Sequence, residues 1–287
     1  MSGLVERTET LLPGPALALG ALLEVPVPDL DGGAGLPLLW HWVYLLDRPA
    51  QADLGPDGHP VRGTVPAPPG PGRRRMWAGG HVRTAGPLRC GESATRHSRV
   101  ESVQDKQGRS GPLTFVAVRH QILQRGRVVV DERQDVVYRE SISPAGQATA
   151  PASQIPATPR GDDEWSIEVS PTLLFRFSAL TYNAHRIHYD RDYARDVEGY
   201  PGLLTHGPLQ ALAMTEAARA AEGDRPDDAG LSFEYKLISP LFDFQGLVAS
   251  ASAEPGAITT RVRDLRGRAT ATGTLRGGRD SGAETRG

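Results

Sequence analysis

Asn183 and His188 stand five residues apart in the segment Arg176 to Gly207, which also holds His185 and His206. Imidazole is the side chain best matched to proton transfer near neutral pH. The Asn183 amide both accepts and donates hydrogen bonds, so it can orient a water but cannot be a strong base. Gly207 and Pro208 come next, and Pro208 suits the first position of a helix, where its missing N–H costs nothing. The unpaired N–H groups at such a start, Gly207 among them, form with the helix dipole an oxyanion site. A thioester whose α-carbon gains or loses a proton needs these three parts: an acid/base, a water-orienting group and an enolate stabiliser.

Spacing alone leaves other readings open. The three histidines could be polar surface or satisfied core groups. His185 and His188 at i, i+3 could face one metal ion with Asp190 nearby, although the pattern lacks a recognised ligand spacing. The reading adopted is a site with no metal and no cofactor.

Elements must position these residues. Leu209, Leu212, Ala213, Ala217 and Ala220 recur at helical spacing after Pro208, and Gly223 can stop the helix. An Ala-rich helix is thinly decorated, so a sheet can wrap closely around it. Strand-like runs follow at Ser232–Ile238, Gly246–Glu254, Ala257–Asp264 and Arg268–Leu275. A similar set occurs earlier at Thr95–Val103, Leu113–Leu123 and Val128–Tyr138, separated by turns at Lys106–Gly111 and Arg125–Gly126. Pro15–Leu23 reads as a short helix, and Leu38–Leu45 as either a helix or a buried strand. The shared order of the two halves suggests an internal duplication. Two stretches read as connectors. Residues 55–72 contain eleven Gly or Pro in eighteen, and residues 141–161 are rich in Pro, Ala, Ser and Thr. The second lies near mid-chain and is the expected domain boundary.

Composition limits the partners. With 287 residues, the chain can bury one large core or two medium ones. A net charge of −2 calls for neither nucleic acid nor an anionic membrane. The cluster Arg73–Arg75 is too short for a tail; its functional reading is a docking point for substrate phosphates. Cys90 is the single cysteine, so no intrachain disulfide forms, which fits a cytoplasmic location. The N-terminus lacks a basic region and is broken by Pro13, Pro15 and Pro26, unlike a secretory signal. No run approaches the roughly 18 apolar residues of a membrane helix.

The segment around His188 resembles the active-site stretch of the MaoC-like hot-dog hydratases, whose motif runs Asp-x-Asn-Pro-x-His-x-Asp and closes with His-Gly. Setting His188-Tyr189-Asp190 on the His-x-Asp puts Asn183 where that family has aspartate, and His206-Gly207 matches the closing pair. Phe177–Asp190 and Glu198–Leu203 are more similar still to the type 2 hydroxyacyl-thioester dehydratase branch, which includes mesaconyl-C4-CoA, itaconyl-CoA and 3-methylfumaryl-CoA hydratases and shares the asparagine. Met76–Gly80, Arg109–Leu113 and Asp135–Glu140 extend the likeness into the N-terminal half.

The resemblance implies an α+β double hot dog: two antiparallel sheets, each wrapped around a central helix. Residues 1–140 would be a degenerate hot dog shaping the acyl pocket, with Trp40, His41, Trp42 and Tyr44 as walls. Residues 141–161 would be the linker and 162–280 the catalytic hot dog. The implied reaction is reversible hydration of an α,β-unsaturated acyl thioester carried on CoA or a carrier protein. In it His188 is acid/base, Asn183 holds the water and Gly207 N–H carries the enolate. Arg176 and Arg186 are candidates for a substrate carboxylate or CoA phosphate, supported by Tyr182, Tyr189 and His206. A second copy of the chain is a candidate partner. Isomerisation or oxa-Michael closure uses the same proton chemistry, a thioester-binding module needs none of these residues specifically, and a thioesterase would want a carboxylate at the carbonyl.

Overall fold

Strand β4 (Gly111–Gln124) alternates half-buried and buried residues along most of its length, the period-two pattern of a strand with one face on a core. A computed structural model describes residues 3–65, 73–108, 111–140, 158, 160–161, 163–222 and 230–277. Around β4 lie β1 (Val5–Thr10), β2 (Arg73–Thr84), β3 (Ser93–Gly108) and β5 (Arg127–Glu140). The C-terminal set is β6 (Glu164–Ile167), β7 (Ser232–Leu237), β8 (Leu247–Glu254), β9 (Ala257–Arg263) and β10 (Ala269–Arg276). The helices are α1 (Pro13–Leu23), α2 (Pro171–Leu180) and α3 (Gly207–Glu222).

Among the described residues, ten strands form one antiparallel sheet in the order β1-β3-β4-β5-β2-β7-β10-β9-β8-β6. Outward from the centre the halves run β2, β5, β4, β3, β1 and β7, β10, β9, β8, β6, the same order with each number raised by five. The two sheets expected from the sequence are therefore joined, through pairing of Gly79–Arg83 with Ser232–Lys236. Glycine permits the junction. A Cβ on Gly79 would lie 2.3 Å from the Tyr235 carbonyl oxygen, and one on Gly80 would lie 2.6 Å from that of Arg133.

The parallel between the halves fails at one place. In the C-terminal half α3 packs on β8, β9, β10 and β2, with Leu209 through Ala218 buried on every side. Among the described residues before β2, the N-terminal half has the 3₁₀ turns Trp40–Val43 and Gln51–Asp53 and no second long helix. Leu38–Leu45 is thus neither a regular helix nor a strand. Trp40 is fully buried, and its indole N–H donates to Glu216 Oε1 on α3 at 2.7 Å. The first helix α1 packs against α2 and this turn. Ser170 caps α2 by accepting from Leu173 N–H, with Pro171 following it.

Most of the expected connector 141–161, the turn residues Arg109–Ser110 and the expected helix stop at Gly223 lie outside the described residues. The turn at Arg125–Gly126 has both residues at positive φ, 52° and 72°, as a two-residue hairpin requires. Among the described residues, no helix is long and apolar enough to cross a membrane. Cys90 is buried with its sulfur 3.6 Å from the Tyr44 hydroxyl.

Candidate active site

Between α2 and α3 the chain makes a tight excursion that carries the histidines. Asn183 ends the turn after α2: its N–H reaches the Ser178 carbonyl, and its side-chain Oδ1 accepts from His185 N–H at 3.0 Å. That bond uses the amide oxygen and leaves the Asn183 Nδ2 group for a ligand. His188 closes the 3₁₀ turn Arg186–His188 and is buried. Its Nδ1 lies 2.7 Å from the Leu204 carbonyl oxygen. A carbonyl can only accept, so Nδ1 carries the proton and Nε2 keeps its lone pair. Burial holds the His188 pKa down to about 4, against the opposing pull of the Leu204 bond, so the ring is neutral at physiological pH.

The imidazoles form a run. The His188 ring stacks on His206 at 3.7 Å and stands perpendicular to His185 at 5.5 Å, while His185 lies 3.9 Å from His59. His206 is fully buried and bonded to Ser178 Oγ through Nε2 at 2.9 Å, and its Nδ1 has no partner. Burial lowers the pKa of His59, His185 and His206 alike.

His59 comes from the N-terminal half, in a stretch that reads as a Gly/Pro-rich loop. Its Nδ1 pairs with Asp57 Oδ2 at 2.9 Å. The loop is fastened to the His188 turn by Arg186 N–H to the Asp57 carbonyl at 2.9 Å and by Arg186 Nη1 to the Pro56 carbonyl at 3.1 Å. Gly58 is so close that a Cβ there would lie 1.8 Å from the Ala184 carbonyl oxygen. Ligand atoms of Asp57, His59 and His185 lie within 4.8 Å of one another, a spacing that suits a metal ion. The positive charge of Arg75 acts on all three and opposes a second cation there. The trio His185, His188 and Asp190 does not converge in this way: Asp190 is bound to Arg186 and to Tyr193 N–H.

A cavity of about 200 Å³ opens beside α3. Phe177, Thr181, Asn183 and Pro208 line it from the C-terminal half, and His41, Trp42, Tyr44 and Trp77 from the N-terminal half. The 3₁₀ turn that stands in place of a second long helix therefore supplies part of the cavity wall. Trp40, expected as a wall residue, instead points into the core. Gly207 lies against the cavity-lining Trp77, with an added Cβ 3.6 Å from Trp77 Cβ. Its N–H belongs to the first turn of α3, where backbone donors lack intrahelical acceptors. His188 is not on the wall; it stacks on His206, which packs edge-on against the lining residue Phe177 at 4.8 Å.

Of the other residues singled out in the sequence, Tyr182, Tyr189 and Arg176 are exposed. Tyr189 donates its hydroxyl to the Ala184 carbonyl. Arg186 is paired with Asp190 at 2.7 Å and lies over the Tyr193 ring at 4.0 Å. Sequence reasoning missed Asp57, His59, Arg96, His120 and Glu132. Glu132, Arg96, His120 and Gln134 also line the cavity, with Leu46 and Ile122. Glu132 accepts from Trp42 Nε1 at 2.8 Å and Gln134 Nε2 at 2.7 Å and pairs with His41 Nε2 at 3.0 Å. Burial would raise its pKa, but the His41 hydrogen bond and the other partners outweigh it and bring it to about 2.

A family model for hydroxyacyl-thioester dehydratase type 2 matches residues 39–243. The chain is 46% identical over 230 residues to mesaconyl-C(4)-CoA hydratase of Chloroflexus aurantiacus, covering 79% of each protein. Among solved structures, it is similar to a MaoC-like dehydratase from Phytophthora capsici, with a TM-score of 0.68, 17% identity and coverage of 98% and 97% of the two chains. It also resembles a Mycobacterium tuberculosis protein described as having a double hotdog fold, with a TM-score of 0.57, 16% identity and coverage of 96% of each chain. At these identities the structural likenesses concern the fold alone.

Proposed function

The chain belongs to the hydroxyacyl-thioester dehydratase type 2 family, and from that premise we propose that it reversibly adds water across the α,β double bond of a short acyl-CoA thioester in the cytoplasm. CoA as the carrier is taken from the name of its Chloroflexus relative. The observation that carries the reading is the His188 tautomer. The Leu204 carbonyl holds the Nδ1 proton, and burial keeps the ring neutral, so Nε2 is a base ready for a water proton.

In hydration, His188 Nε2 takes a proton from the water as its oxygen bonds to the β-carbon. The Asn183 Nδ2 group fixes that water, its Oδ1 being held by His185 N–H. The Gly207 N–H at the start of α3 stabilises the thioester enolate. The proton on His188 then passes to the α-carbon, and dehydration is the reverse. Tyr182, Tyr189, Arg176 and Arg186 are assigned to the CoA end of the substrate. We read residues 1–140 as a degenerate hot dog whose shortened central helix makes room for the acyl group, 141–161 as the linker, and 162–280 as the catalytic hot dog.

The test is turnover of short enoyl-CoA thioesters followed by mass spectrometry for an 18 Da gain, in the wild type and His188→Ala. Loss of proton transfer should cost roughly 10²- to 10⁴-fold in kcat. Near-normal turnover by the variant would remove His188 from the scheme. A second reading, a thioester-binding module without turnover, is favoured by one observation: His188 is off the cavity wall. It requires binding without any mass gain.

A further inference from the structure

We propose that His41 is a second acid/base, and that with it the chain also shifts the double bond of a short enoyl thioester between the β,γ and α,β positions. The inference rests on reading this cavity as the acyl pocket. His188 is not among the lining residues, and the wall carries titratable groups of its own: His41, Tyr44, Arg96, His120 and Glu132. Four of these offer no free base. Arg96 is a cation with donors only. The Tyr44 hydroxyl donates to the Leu12 carbonyl and accepts from Ala16 N–H, and burial raises its pKa. His120 Nδ1 lies 2.7 Å from Ser98 Oγ, and the ring is also hydrogen-bonded to Gln134. Both Glu132 oxygens are occupied, Oε2 by His41 and Oε1 by Trp42 and Gln134, and a carboxylate held at a pKa of about 2 is a weak base.

His41 differs. Its ring is buried, and Nε2 lies 3.0 Å from Glu132 Oε2. An ionised carboxylate can only accept, so this nitrogen carries a proton. In the neutral ring Nδ1 then keeps its lone pair, and it has no hydrogen-bond partner among the described residues. A carboxylate behind an imidazole fixes the tautomer and stabilises the imidazolium that forms when the ring takes a proton. Contacts also link His41 to the enolate site. Trp42 shares Glu132 with it and packs edge-on against Trp77 at 5.8 Å, and Trp77 lies against Gly207.

The step balances without a co-reactant. His41 Nδ1 takes a proton from the α-carbon of a β,γ-unsaturated thioester. The C–H electron pair joins the α-carbon to the carbonyl carbon as a double bond, giving a dienolate whose oxygen the Gly207 N–H holds. When the carbonyl re-forms, the double bond moves to the α,β position and the γ-carbon takes the proton back from Nδ1. The α- and γ-carbons flank one atom, so a single base serves both. The product is the α,β-unsaturated thioester that hydration consumes, and the two reactions run in sequence in one pocket.

The experiment follows 3-butenoyl-CoA by proton NMR, with crotonyl-CoA and its hydration product resolved in the same spectrum. Wild type should convert 3-butenoyl-CoA to crotonyl-CoA, a change without mass gain, and then to the 3-hydroxy product. His41→Gln should lower the ratio of isomerisation to hydration by roughly 100-fold or more, the size of a lost acid/base. His188→Ala should raise that ratio by a similar factor, so that crotonyl-CoA accumulates. A merely structural role would lower both rates together and leave the ratio unmoved. The two readings fail separately: isomerisation without hydration sinks the hydration reading and supports this one, and hydration of crotonyl-CoA without isomerisation of 3-butenoyl-CoA does the reverse. Absence of isomerisation in wild type, a comparison that needs no variant to fold, overturns the proposal, as does an unchanged ratio in a folded His41→Gln protein.

Discussion

Acidification should unfold this protein in a way that can be traced to His188. In an unfolded chain the ring titrates at its ordinary 6.5, whereas in the folded chain it titrates at about 4. Below pH 6.5 the unfolded state takes up a proton that the folded state refuses, so stability falls with pH until the folded ring also protonates near 4. Stability is thus complete above 6.5 and lost through the window between the two values. At about 1.4 kcal/mol per pH unit, His188 alone removes about 3 kcal/mol across that window, a substantial share of the roughly 5–15 kcal/mol typical of a folded domain. His59, His120, His185 and His206 are displaced in the same direction by burial and add to the loss. Urea denaturation followed by tryptophan fluorescence at half-unit steps from pH 7 to 4.5 gives the proton uptake as the slope of stability against pH. His188→Gln should lower that slope by about one proton near pH 5.3 whatever it does to absolute stability. Parallel slopes for variant and wild type would refute the argument, as would wild-type stability that stays flat from pH 7 to 5.

Three further expectations can be checked directly. The acid limb of kcat/KM should fall near pH 4 rather than near 6.5, since the base is the buried neutral ring; a limb at 6.5 in a still-folded protein would mean another group titrates. Gly58→Ala should cut activity tenfold or more while leaving most of the fold, because its φ of +86° and the Ala184 carbonyl 1.8 Å from an added Cβ force the loop off the His188 turn; unchanged kinetics would show the loop to be irrelevant. Glu216→Ala should cost about 2–4 kcal/mol in urea denaturation, since it removes the acceptor of the buried Trp40 indole N–H and the Arg219 ion pair; a cost under 0.5 kcal/mol would contradict the bonds described.

Seven of the ten strands and the long helix were readable because Val, Ile and Thr alternate between turn residues and because Pro208 opens an apolar helical stripe. Strand β2 was not. Its Arg73–Arg75 and Gly79–Gly80 have poor strand propensity, and the glycines are explained only by the close approach of β5 and β7. The helix α2 has its own signal in Ser170-Pro171, a cap followed by proline. In the site, His188 and Asn183 stood out by type and spacing, and the tautomer needed coordinates because its partner is a backbone carbonyl sixteen residues away. Asp57, His59 and Arg96 lie about 90 to 130 residues from that segment, in a loop or strand with no local pattern. Only the fold brings them near.

The pairing of Gly79–Arg83 with Ser232–Lys236 has a consequence for how the chain is made. These partners lie about 150 residues apart, so the central seam of the sheet can close only after residues through Lys236 have left the ribosome. Until then the N-terminal half carries β2 as a bare edge, the kind of surface that recruits strands from other chains. The positive charges of Arg74 and Arg75 sit at the start of that edge, where they discourage such pairing. Closing so distant a contact is slow, and a chain cut between the halves should reassemble through the same seam, each fragment completing the other's sheet.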